Sequence, residues 1–209
     1  MQDTKVTEIF NYCREVFGEA PKVELDYKTD IDLMVAIILS AQCTDVRVNK
    51  VMKEVVKKYS TVQDYAEAKQ EEFEREIHSC GFYRNKASNI INMAKMVVSV
   101  FGGRIPDELD ELIKLPGVGR KTASVFLAEY YGKPAIAVDT HVIRVSGRLG
   151  LTKSKNPDVI ERDLACLVDK ENWRLVNLYL VLFGRYCCKA MKPQCDECKI
   201  KKHCLYSKN

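Results

Sequence analysis

Apolar residues recur at helical spacing along most of this chain, and that periodicity constrains its fold more than any other feature. "VNKVMKEVVKKY" places Val48, Val51, Met52, Val55, Val56 and Tyr59 on one stripe with lysines opposite. "NKASNIINMAKMVVSVF" repeats the pattern through Ala87, Ile90, Ile91, Ala94, Val97, Val98 and Phe101. "NPDVIERDLACLVDK" opens with Asn156 as a helix N-cap and Pro157 at the first helical position. "NWRLVNLYLVLFGRY" is apolar on most faces, which predicts a buried helix. Gly and Pro punctuate at "SCGFY", "FGGRIPDE", "LPGVGR" and "YYGKPAIA". No alternating strand pattern and no 20–50 residue repeat interrupts the series. The expectation is an all-α fold of roughly nine to eleven short helices.

Apolar residues make up 46% of the 209 positions, enough for a core without disulfide staples. The N-terminus lacks a secretory apolar segment, and no stretch approaches the roughly 20 apolar residues that span a bilayer. These features predict a soluble protein with no membrane partner, in a reducing compartment. A helix starting so near the first residue argues against an organelle presequence and for a prokaryotic cytoplasm. The nine cysteines are then read as free thiols or metal ligands rather than bridges.

Four of them crowd "CKAMKPQCDECKIKKHC", with spacing C-x6-C-x2-C-x5-C over Cys188, Cys195, Cys198 and Cys204. Four thiolates suit Zn²⁺ or an iron–sulfur cluster, although zinc ribbons usually pair two C-x2-C knuckles and this loop has one; His203 is a substitute ligand in the zinc reading. The chain's net charge is +4, yet residues 185–209 alone carry seven cations against two acids, or +5. That asymmetry fits an electrostatic footprint for phosphates, or simply a solvated tail.

"LPGVGRKTASVFLAEYYG", residues 115–132, reads as two helices joined by Pro116-Gly117-Val118-Gly119. Gly117 and Gly119 let the backbone approach a ligand closely. The N–H groups opening the second helix are left unsatisfied and point outward, as in a helix-hairpin-helix grip on one DNA phosphate. Arg120 stands where a Walker A loop requires Gly, so that motif is excluded. Lys121 falls in the helix's first turn. A free lysine amine has a pKa of roughly 10.4, and the helix dipole, Arg120 and partial burial would all favour the neutral, nucleophilic form. The plainer role for Lys121 is a phosphate contact. In "AIAVDTHVIRVSGRLG", Asp139 is either an N-cap or a carboxylate that stabilises a cationic sugar and accepts a proton.

Taken together, "LPGVGRKTA", "AVDTH" and the cysteine spacing resemble the endonuclease III family of DNA repair glycosylases, and "SAQCTDVRVNK" and "GFYRNKASNI" extend the resemblance over nearly the whole chain. The resemblance implies a two-lobed helix-hairpin-helix DNA glycosylase fold with the DNA cleft between lobes. A six-helix barrel would span about residues 23–133, and 1–22 with 134–209 would form the cluster lobe. It implies Lys121 as the nucleophile that displaces an oxidised pyrimidine, Asp139 as its carboxylate partner, and β-elimination through a lysine Schiff base. Cys188, Cys195, Cys198 and Cys204 would hold a [4Fe–4S] cluster, with Cys187 left to packing and Lys189 and Lys192 presented to the DNA backbone.

The target base must leave the stack, and Gln42 and Phe82 occupy the family's gap-filling positions. Phe82 stands where the family often carries Leu. An aromatic still serves as an apolar wedge, although periodicity alone reads Phe82 as a buried turn residue. The resemblance implies damaged double-stranded DNA as the partner, and a monomer is expected. Two alternatives stand beside this reading. One is a non-catalytic DNA-binding module. The other is the adenine-removing mismatch glycosylase, which generally lacks the hairpin lysine and carries a further C-terminal domain.

Overall fold

The structure is a computed structural model that describes residues 4–208. Among the described residues there are eleven α-helices and no strand. They are α1 (Thr4–Phe17), α2 (Asp30–Ser40), α3 (Asp45–Lys58), α4 (Val62–Ala66), α5 (Gln70–Ile77), α6 (Tyr83–Phe101), α7 (Leu109–Leu112), α8 (Arg120–Tyr130), α9 (Thr140–Arg148), α10 (Pro157–Leu167) and α11 (Trp173–Tyr186). Short 3₁₀ turns follow α5 at His78–Cys80 and precede α11 at Lys170–Asn172. The chain divides into two compact units: Glu24–Tyr131, and the chain up to Val23 together with that from Gly132 on.

In the Glu24–Tyr131 unit, α2 is the central helix, buried from Ile31 through Leu39. Its one buried acid, Asp32, is explained by its start. Thr29 accepts a hydrogen bond from the Asp32 N–H, and the Asp32 carboxylate accepts from the Thr29 and Lys28 N–H groups at 3.1 and 3.2 Å. This reciprocal cap satisfies orphan donors that would otherwise be buried. Helices α3, α6 and α8 pack against α2, and Val48 and Val55 of α3, Ile90 and Met93 of α6 and Phe126 of α8 are all buried. Full burial of such side chains contributes about 1.5–3 kcal/mol each. Helix α6 stops at Gly102, whose φ of 61° permits the left-handed cap.

The other unit joins the first helix to the last. Val6, Ile9 and Cys13 of α1 share a core with Val142 and Val145 of α9, Ile160 and Leu164 of α10, and Tyr179, Leu180 and Phe183 of α11. Asn156 caps α10 through its side chain, and Pro157 opens it. Helix α9 lies so close to α11 that a Cβ at Gly184 would come within 2.8 Å of the His141 Cβ. His141 is therefore a packed residue, and its Nδ1 lies 3.1 Å from Arg144 Nη2.

Candidate functional site

The hairpin is built as its sequence demands. Leu112, Leu115 and Val118 are buried and hold α7 and α8 together. Backbone bonds of 3.0 Å from Leu115 to Leu112 and from Val118 to Leu115 tighten the link. Its two glycines have different reasons to be there. Gly117 has φ +78°, and a Cβ there would meet the Asn89 Cβ at 2.8 Å. Gly119 is in extended backbone with φ −86°, and a Cβ there would meet nothing within 4 Å. Gly119 is also the N-cap of α8, and no side chain caps the helix. The end of α8 thus offers N–H donors and a positive dipole to an anion.

Lys121, the second residue of α8, is exposed, so the partial burial expected of it is absent. Helical side chains lean toward the N-terminus, and at a first turn that carries them past the helix end rather than onto a neighbour.

Two further residues of this unit stand out through their backbone. Gln42 and Phe82 have φ of 54° and 46°; with Lys192 at 49°, they are the only non-glycine residues of positive φ among those described. The left-handed region costs an L-residue about 1–2 kcal/mol, and for a bulky side chain it is rare. Such strain clusters where a side chain must be held out for use. Phe82 is 66% exposed, which removes the reading of it as a buried turn aromatic.

In the other unit, Asp139 is the N-cap of α9, and its Oδ1 accepts from the N–H groups of His141 and Val142, both at 2.8 Å. The capping work falls on one oxygen. Oδ2 makes no hydrogen bond among the described residues, so capping leaves it available for chemistry.

The cysteine loop follows α11. All nine cysteines are free, and Cys188, Cys195, Cys198 and Cys204 line one pocket together with Cys187. Burial raises the pKa of the Cys198 thiol, and Cys188, Cys204 and Cys195 push it the same way, against a hydrogen bond from the Ile200 N–H. Burial also drives the Cys13 thiol of α1 up to about 12, with Cys187 and Cys198 beside it. Two arginines of α9 anchor the loop's start. Arg148 Nη1 donates to the Cys188 sulfur at 3.3 Å and to the Lys189 carbonyl at 2.8 Å. Arg144 donates to the carbonyls of Cys188 at 3.2 Å and Gly184 at 2.8 Å. No group of three or more His, Cys, Asp or Glu among the described residues is placed to grip a single metal ion.

The basic tail separates into two classes. Lys199 pairs with Glu15 of α1, Lys202 and His203 with Glu8, and Lys201 with Asp196. The lysine and histidine hold the Glu8 carboxyl below its usual range. Lys189 and Lys192 are exposed and have no acidic partner among the described residues. Glu8 and Glu15 of α1 therefore answer two of the tail's five excess charges, whereas Lys189 and Lys192 face solvent.

Comparison with known proteins agrees over most of the chain. Residues 35–170 match the family model of the HhH-GPD superfamily base excision DNA repair protein. Endonuclease III of Bacillus subtilis (strain 168) is 45% identical over 92% of this chain and 90% of its own. Endonuclease III of Escherichia coli (strain K12) is 37% identical over 99% of this chain and 97% of its own. A solved structure of a trapped endonuclease III–DNA covalent intermediate, in an estranged-adenine complex, superposes with a TM-score of 0.93 at 42% identity, covering 99% of this chain and 98% of that one. The chain belongs to the HhH-GPD superfamily of base excision DNA repair proteins and, within it, to the endonuclease III family.

Proposed function

We propose that this chain is a bifunctional DNA repair enzyme that removes oxidised pyrimidines from duplex DNA and then nicks the strand. The coarser activity, a DNA glycosylase and abasic-site lyase of base excision repair, follows from its family and full-length relatives. One observation carries the finer reading: Lys121 stands exposed in the first turn of a helix that no side chain caps, directly after the Gly117–Gly119 turn. A phosphate held on those N–H groups sets the neighbouring sugar beside an amine.

The unprotonated Lys121 amine attacks C1′, and the glycosidic electron pair leaves with the base, which takes up a proton. Asp139 is the carboxylate that supports the cationic sugar and accepts the amine's proton. The C1′–O4′ bond then breaks, O4′ takes up a proton and the opened sugar carries a protonated imine; this acidifies the C2′ proton, whose loss expels the 3′ phosphate. Gln42 and Phe82 fill the space that the flipped base vacates. Lys189 and Lys192 neutralise backbone phosphates.

Cys188, Cys195, Cys198 and Cys204 are proposed to hold a [4Fe–4S] cluster. Supporting this, the four thiols line one pocket, and such a cluster takes four cysteine thiolates. The cluster would brace the loop that presents Lys189 and Lys192. Glu24–Tyr131 is read as the barrel lobe and the other unit as the cluster lobe, in a monomer acting in a prokaryotic cytoplasm.

The test is a set of duplexes each holding one defined lesion. Oxidised pyrimidines should be released with strand cleavage, and undamaged duplex should stay intact. Binding without release or nicking on any lesion would favour the non-catalytic module instead.

A further inference from the structure

Lys86 is buried, 5% exposed, on the apolar side of α6, and no carboxylate among the described residues partners it. A buried, unpaired ammonium is unfavourable unless its donors are used. Both of its bonds go to backbone carbonyls: Leu39 at 2.8 Å and Cys80 at 2.9 Å. Leu39 lies in the last turn of α2, where the dipole and orphan carbonyls favour a cation. Cys80 ends the 3₁₀ turn after α5.

The positions of these carbonyls give the lysine its meaning. Three residues past Leu39 comes Gln42, and two past Cys80 comes Phe82, both in the left-handed region. The Cys43 thiol lies close enough to help raise the Cys80 pKa, so the two segments are neighbours. Helix α6 adds a third tie. Lys86 and Asn89 lie three residues apart on one face of α6, within the first two turns after its N-cap Phe82. Asn89 is the residue packed against Gly117 of the hairpin. Burial lowers the Lys86 pKa below the usual lysine value.

We propose that Lys86 is a positioning residue that fixes the Gln42 and Phe82 segments against each other, so that both side chains enter the duplex together when a base is flipped. The inference rests on the gap-filling reading of those two residues. Lys86 touches no substrate and acts through the backbone of both segments. Strained conformations persist only where the surroundings over-determine them, and two charge-assisted bonds to the flanking carbonyls supply that constraint.

Lys86→Met keeps the packing volume and removes the donors. With full-length protein, base removal from a fully paired lesion should fall about tenfold or more, and from the same lesion in a mismatched or single-stranded site by less than about twofold. The loss should appear in kcat, and a fluorescent base analogue beside the lesion should brighten less on binding. Lys86→Gln, which can reach only one carbonyl, should show the same discrimination in weaker form, so the test survives if the Met variant does not fold. Equal loss on both substrates, or no loss on either, would overturn the proposal. Phe82→Ala, run in parallel, separates the two ideas. If it discriminates between substrates and the Lys86 variants do not, Lys86 is only a core residue. If it does not discriminate, the wedge reading is what fails.

Discussion

Replacing Gly117 and Gly119 one at a time with alanine should produce opposite phenotypes, although the two residues are neighbours in one turn. At Gly117, φ of +78° places an alanine in the left-handed region, at about 1–2 kcal/mol. The added methyl would also stand 2.8 Å from the Asn89 Cβ. That atom is fixed to the α6 backbone and cannot rotate away, so the clash adds about 1–3 kcal/mol. Gly117→Ala should therefore lose roughly 2–5 kcal/mol, a large share of a domain's stability. At Gly119 the backbone is extended and the space is open, so Gly119→Ala should stay within about 1 kcal/mol of the parent. Its methyl would instead obstruct the approach of a phosphate to the α8 N–H groups, and duplex affinity should drop. Urea denaturation measures the first effect and fluorescence anisotropy with a labelled duplex the second. The reasoning is refuted if Gly119→Ala unfolds as readily as Gly117→Ala, or binds duplex as tightly as the parent.

Other consequences are as definite. Lys192→Ala should reduce the slope of log affinity against log salt by about 0.9, the value for one lost phosphate contact, and Lys199→Ala, whose partner is Glu15, should leave it unchanged. Protein made under anaerobic, iron-replete conditions should contain about four irons and four sulfides per chain. Cys198→Ser should lose them and Cys187→Ser should not, whereas stoichiometric zinc would displace the cluster. Asp139→Asn preserves an oxygen that can cap α9, so its urea midpoint should match the parent while base removal collapses. A large fall in stability would mean that the carboxylate serves mainly the helix.

The helical class and several helix starts were legible because they depend on neighbours in sequence: Asn156 and Pro157 open α10, and α11 is buried as its apolar faces predict. What escaped depends on distant partners. The +5 of the tail looked uniform, but Glu8 and Glu15 lie nearly two hundred residues away from the cations they pair with. Lys121 was expected to be partly buried, since sequence spacing does not reveal that a first-turn side chain overhangs its helix. Phe82 was open between core and wedge; its backbone is left-handed and its ring is exposed. No glycine or asparagine marks Gln42, Phe82 or Lys192, so nothing local signals their conformation. Lys86 did leave a trace. It precedes Ile90 by four residues and Met93 by seven, a lysine set into an apolar stripe, and such a lysine needs an acceptor inside the core.

The central claim is that Lys121 forms the covalent bond to DNA, and borohydride trapping tests it most directly. Reduction of the imine should link the wild-type chain permanently to duplexes holding an oxidised pyrimidine or an abasic site, and not to undamaged duplex. Lys121→Gln, exposed and free of packing demands, should fold and bind as the parent does, yet give neither crosslink nor nick. A Lys121→Gln protein that still crosslinks at the wild-type rate would place the nucleophile elsewhere and contradict the account.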